Sequence, residues 1–141
     1  MHPLSKHILI FSFFIASLWD IRSRTIPDLT HILILAAGVL NLVTGGISIW
    51  EAFSSLLIMT GASILLTLTI DSIGGGDLKM ISSTAFACGL YSSIQALLLS
   101  FLLAGAYILI GKSLKKLKGD DAIPLAPFLS AGYIVALFAN I

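Results

Sequence analysis

The sequence predicts an all-α, polytopic membrane protein, a bundle of about six transmembrane helices. Three observations carry that expectation. Hydrophobic residues fill 57% of the 141 positions and charged residues only 11%, far from the make-up of an average soluble domain. The mean hydropathy is +1.05. The apolar residues are gathered into runs of membrane-crossing scale, separated by short polar breaks with turn chemistry.

The first run, Leu4 to Trp19, is followed by Asp20-Ile-Arg-Ser-Arg rather than by a small-residue cleavage site, so it reads as a retained helix and not as a signal peptide. Arg24 to Asp28, with Pro27, breaks the chain before a second run, Leu29 to Val43. Thr44-Gly45-Gly46 leads to a third, Ala52 to Ile70, and Asp71 to Gly76 to a fourth and shortest, Met80 to Leu90. A fifth covers Ile94 to Ile110, and after the polar segment Gly111 to Asp121 a sixth runs from Ile123 to Ile141. Each crossing takes roughly 20 residues, fewer where helices tilt or pack. Residues 1–141 are therefore expected to form a single membrane-embedded domain with no room for a soluble second one.

Orientation follows from the basic residues. With the loops counted alternately, Arg22, Arg24, Lys79, Lys112, Lys115, Lys116 and Lys118 collect on one side and Lys6 alone on the other. The positive-inside rule puts the first side in the cytoplasm and both termini outside. The Lys112 to Lys118 cluster is also suited to anionic lipid headgroups. The formal net charge of +1 gives no sign of a nucleic-acid partner. The single cysteine, Cys88, lies in an apolar stretch, which excludes a disulfide framework and a four-cysteine zinc site. His2, His7 and His31 have no carboxylate or cysteine at metal-ligand spacing, so neither a metal nor any other cofactor is expected. Glu51, outside, reads as a helix-start residue.

Two carboxylates stand out. Asp20 follows the first apolar run directly and Asp77 precedes the fourth, which places both at helix ends on the cytoplasmic side. An ionisable group at such a depth is a functional candidate, although solvated helix-end residues, with Asp77 as an N-cap, are the plain alternative. Two carboxyl groups brought close together do not both ionise easily. One keeps a proton while the other polarises a water for attack on a peptide carbonyl, which is aspartic-protease chemistry without a metal. Asp77 ends the run Gly74-Gly75-Gly76-Asp77, where glycines leave the acid on a bare edge open to a substrate backbone. Asp71, in the same loop, lacks flanking glycines and is the weaker candidate.

Three stretches, Asp20-Ile-Arg-Ser-Arg-Thr-Ile-Pro-Asp28, Gly74-Gly-Gly-Asp-Leu-Lys-Met80 and Ile123-Pro-Leu-Ala-Pro-Phe-Leu-Ser-Ala-Gly132, together resemble type IV prepilin peptidases, which are GxGD aspartic membrane proteases. The resemblance covers nearly the whole chain in order and spacing. It implies that Asp20 and Asp77 are the catalytic pair and that the chain is an aspartic endopeptidase removing the leaders of prepilin-like proteins. Such substrates carry a basic leader and one apolar helix, and the resemblance implies cleavage just before that helix, at the cytoplasmic face of the inner membrane. It is closest to short forms serving Flp or tight-adherence pili, which lack the methyltransferase-associated insertion. Presenilin-like relatives place a Tyr-Asp pair inside a helix, whereas Trp19-Asp20 leads here into a basic loop.

Around the pair, Gly74, Gly76, Lys79, Pro27, Asp28, Pro124 and Pro127 are the expected supporting or substrate-contacting positions. Lys79 stands next to Asp77 in charge and place, although an interface anchor is its simpler role. Pro27 and Pro124 fit helix starts, and Pro127 fits a first turn. Asp28, with Asp120 and Asp121, offers acidic contacts for a basic leader. Asp28 stands where the family often has asparagine, and Leu125-Ala126 where Phe-Gly is usual; both departures bear on substrate preference. Arg22 and Arg24 need no role beyond topology. The competing reading is a non-enzymatic membrane scaffold or a small ion-coupled transporter that uses Asp20 and Asp77 to hold a proton or cation.

Overall fold

The computed structural model describes residues 1–69, 74–114 and 123–139, and these residues form six helices and no strand. They are α1 (Pro3–Ser23), α2 (Asp28–Val43), α3 (Ile49–Thr69), α4 (Gly75–Cys88), α5 (Leu90–Ser113) and α6 (Ala126–Ala139). Asp71, Lys115, Lys116, Lys118, Asp120 and Asp121 lie outside the described residues. Helices α1, α3 and α5 are long and apolar enough to cross a membrane, and α2 and α6 are shorter apolar helices. The chain is thus an all-helical, polytopic membrane protein, as its composition predicts.

The ends of the helices are set by local chemistry and move several expected boundaries: α3 begins at Ile49 and α5 at Leu90, ahead of their apolar runs, and α4 ends at Cys88, before Leu90. α1 opens with Pro3 at its first position and the His2 imidazole accepting the Leu4 N–H. It continues past Trp19 to Ser23, because nothing in Asp20-Ile21-Arg22 breaks a helix. The break comes at Arg24, in the left-handed conformation at φ 53°, whose N–H closes on the Asp20 carbonyl at 2.9 Å. Asp20 is therefore in the last turn of α1 and not beyond it.

α4 likewise begins earlier than its apolar run. Gly74 is the N-cap, and Gly75, Gly76 and Asp77 form the first turn rather than a free loop. An acid at the third helical position is favoured by the free N–H groups and the dipole of a helix start. In α6 the helix starts at Ala126 and not at Ile123, which leaves Pro124 outside the helix and Pro127 at its second position. There the missing N–H of Pro127 costs no intrahelical bond.

The bundle is built around α4. Eight consecutive residues, Met80 to Ala87, are buried, so this helix is enclosed rather than amphipathic. It packs against α2, α3 and α5, and the circuit closes through α5 with α6, α6 with α1 and α1 with α2. The enclosed hydroxyls are satisfied within the helix: Ser82 donates to Leu78 O, Ser83 to Lys79 O and Thr84 to Met80 O, at 2.7–2.9 Å. Between helices, Ser55 Oγ donates to Ala85 O at 2.9 Å and Asn41 Nδ2 to Ala87 O at 3.0 Å. Leucine, isoleucine and phenylalanine side chains such as Phe14, Leu57, Leu68, Leu102 and Leu109 point outward. Small and hydroxyl residues inside, beside large buried side chains such as Leu9, Phe13, Ile34 and Tyr133, with further large apolar side chains outside, fit a bundle surrounded by lipid and not water.

α5 and α6 approach closely at Gly132 of α6. A Cβ there would run into Ser100 Oγ and the Ala96 carbonyl of α5. Gly132→Val is expected to destabilise the protein by roughly 1–3 kcal/mol or more, as overpacking does. A thermal melt in detergent reads this out, and an unchanged melting temperature would contradict the close α5–α6 contact.

Candidate active site

At the end of the bundle where α1 stops and α4 starts, a cleft of about 320 Å³ is lined by Asp20, Arg24, Thr25, Ile26, Gly74, Gly75, Gly76, Asp77 and Lys79. The two aspartates, far apart in sequence, meet here because α1 delivers Asp20 in its last turn and α4 delivers Asp77 in its first.

Asp20 is buried, with 6% of its surface exposed. Its Oδ2 accepts the backbone N–H of Ala126, the first residue of α6, at 2.9 Å. Asp77 is half-buried, in the polar first turn of α4 ahead of the buried stretch. Its Oδ2 accepts the Gly74 N–H at 3.3 Å, half of a capping box that glycine has no side chain to complete. Its Oδ1 is buried without a partner among the described residues. Burial pushes the Asp77 carboxyl up to about 6, the nearby charge of Asp20 acts in the same direction, and the Gly74 N–H opposes both. A carboxyl group so placed can hold or release a proton near neutral pH, as proton-transfer chemistry requires.

The glycines divide by position. A Cβ at Gly75 would meet nothing within 4 Å, whereas at Gly76 it would come within 3.3 Å of Ile26 Cβ, and at Gly74 within 3.7 Å of Asp77 Oδ2. The middle glycine is thus open to replacement, and the one before Asp77 is held against the α1–α2 connection. Gly76→Val is expected to push Ile26 away and reduce turnover, while Gly75→Ala, a better helix former, is expected to raise stability by up to about 1 kcal/mol. Equal loss of turnover and of melting temperature in both variants would contradict this division.

The other expected positions fall on the rim. Lys79 Nζ donates to Asp28 Oδ1 at 2.8 Å, and both side chains are exposed. Lys79 holds the Asp28 carboxyl below its usual range. The acid proposed from sequence as a leader contact is therefore already engaged by a lysine that lines the cleft. Pro27 caps α2, its carbonyl accepting the Thr30 N–H and hydroxyl. Pro124 and Pro127 flank Ala126, the donor to Asp20, without lining the cleft. Arg24, read from sequence as a topology signal alone, lines the cleft, as do Thr25 and Ile26. Its left-handed cap position, which turns the chain back over Asp20, has no signature in an arginine. His31 is buried one turn into α2 with both ring nitrogens lacking a protein partner, a feature that its spacing did not foretell. Among the described residues, no group of three or more His, Cys, Asp or Glu is placed to hold a metal ion.

No curated protein and no solved structure matches the chain significantly. A family model does: that of the type IV leader peptidase family matches residues 7–109, which takes in both aspartates and the glycine turn. By that match, across most of its length, the chain belongs to the type IV leader peptidase family and is a membrane protease.

Proposed function

We propose that the protein is an aspartic endopeptidase that removes the leaders of Flp-type prepilins at the cytoplasmic face of the inner membrane, with Asp20 and Asp77 as its catalytic pair. The observation that carries this reading is the convergence of the two carboxyl groups on one cleft at the end of the bundle. Transport carboxylates belong near mid-membrane, whereas Asp20 and Asp77 stand in a last and a first helical turn.

The substrate's basic leader and single apolar helix set the geometry. The helix lies beside the bundle in lipid and brings the bond that precedes it to the level of the cleft. One aspartate draws a proton from a water molecule as its oxygen attacks the scissile carbonyl, and the other gives a proton to the carbonyl oxygen. No covalent intermediate with the protein forms. Gly74 and Gly75, both exposed, leave backbone groups accessible for strand-like pairing with an extended substrate. Arg22, Arg24, Lys79 and Lys112 all lie at this end of the helices, which supports its placement in the cytoplasm.

Co-expression with a prepilin encoded beside it tests the reading, with leader removal followed as a gel shift. Processing that depends on this protein is the expected result. Failure to process any neighbouring prepilin would shift the assignment to a membrane scaffold or transporter.

A further inference from the structure

The surroundings treat the two aspartates unequally. Asp20 Oδ2 receives a short bond, 2.9 Å, from the N–H of Ala126. That N–H stands at the first position of α6, ahead of Pro127, which has none, and of Phe128 and Leu129, whose N–H groups bond to the Leu125 carbonyl; it lies at the positive end of the helix dipole. The bond is buried and spans the bundle from α1 to α6. Among the described residues Asp77 has only the longer bond from Gly74, 3.3 Å, on Oδ2, and its Oδ1 is buried without a partner. In a low-dielectric site, an N–H aimed at a carboxyl oxygen favours the charged form, and a bare buried oxygen favours the neutral acid.

Resting on the aspartic-pair reading, we propose that the backbone N–H of Ala126 is a positioning group that keeps Asp20 as the charged base, so that when the pair holds a single proton it is Asp77 that carries it. Asp20 then has Oδ1 free to take a proton from water while the water oxygen bonds to the scissile carbonyl carbon. Asp77 gives its proton to the carbonyl oxygen, forming a neutral gem-diol. On collapse, a gem-diol hydroxyl returns a proton to Asp77, Asp20 passes its proton to the leaving nitrogen, and the C–N bond breaks. Acid and amine leave, and both aspartates regain their starting states. The donor lies beyond the matched stretch 7–109, and a backbone amide leaves no side-chain signature at its position.

Ala126→Pro removes the N–H at a first helical position, where proline fits. With purified protein in detergent and a synthetic prepilin peptide, the acidic limb of its rate profile is expected to move up by about one to two pH units. Ala126→Gly, which retains the N–H, keeps the parent's limb. A loss in Ala126→Pro that is uniform across pH would overturn the proposal, since lost packing alone gives that result.

A readout independent of turnover covers the case in which Ala126→Pro does not accumulate. In ¹⁵N-alanine-labelled protein the Ala126 amide proton is expected to shift as pH falls and to lose that shift in Asp20→Asn. A shift that persists in Asp20→Asn would overturn the proposal. The two failures separate cleanly: intact cleavage by Asp20→Asn or Asp77→Asn overturns the aspartic pair itself, whereas a pH-uniform loss in Ala126→Pro beside inactive aspartate variants overturns the role of Ala126 alone.

Discussion

Asp20→Asn and Asp77→Asn, made separately, are each expected to lower leader removal by roughly 10²–10⁴-fold, the range for loss of a positioned acid or base, at parental membrane levels. The substitution keeps shape and one acceptor oxygen. In Asp20→Asn the amide oxygen can still accept the Ala126 N–H, and in Asp77→Asn it can still accept the Gly74 N–H, so the bonds that anchor each side chain survive. What is lost is the ability to exchange a proton. Leader removal on co-expression with a prepilin, quantified against membrane abundance, measures this. Parental processing by either variant would remove that aspartate from the chemistry.

The second large effect is on stability and has the opposite sign. The folded-state value for Asp77, about 6, lies above the ordinary carboxyl value of 3.8. Between those values the folded protein binds a proton that the unfolded chain does not, so stability falls as pH rises from about 4 to about 6 and levels off above. The penalty above pH 6 is on the order of 2–3 kcal/mol at most. Asp77→Asn carries no charge to bury and is expected to melt higher than the parent at pH 7.5, with the difference closing toward pH 4. Melting curves of the two proteins in one detergent across this range test it. A difference independent of pH would assign the effect to packing instead of charge. Inactive yet more stable is the expected behaviour of a site whose chemistry requires a carboxyl group that the fold disfavours.

The helices and the site were legible in the sequence to different degrees. Apolar runs marked all six helices, five because they face lipid with Leu, Ile and Phe and α4 because it is enclosed by the others, but they did not mark the ends. Asp20 and Asp77 lie inside helices whose last and first turns are polar, and hydropathy stops where the apolar residues stop. That Asp20, Asp77 and the glycines belong to one candidate site was readable from the motifs, and the structure sets them around one cleft. The partner of Asp20 was not readable, since any residue but proline supplies a backbone N–H. The Lys79–Asp28 pair joins positions distant in sequence and depends on the packing of α2 against α4. Arg24 was hidden by its own charge, for which topology already gave a sufficient reason.

The enclosure of α4 bears on how the protein enters the bilayer. At 14 residues this helix is about 21 Å long, short of a hydrocarbon core of about 30 Å, and it is rich in serine and threonine. Such a segment does not partition into lipid by itself. Only Gly89, at φ 85°, separates it from the long apolar α5, so α4 is tied in the chain to a helix that is apolar and long enough to cross the bilayer. The turn that carries Asp77 is seated by the packing of α4 against α2, α3 and α5, and α6, whose Ala126 N–H bonds Asp20, follows both in the chain. The cleft that holds both aspartates is thus complete only in a bundle that has α4 and α6 both in place.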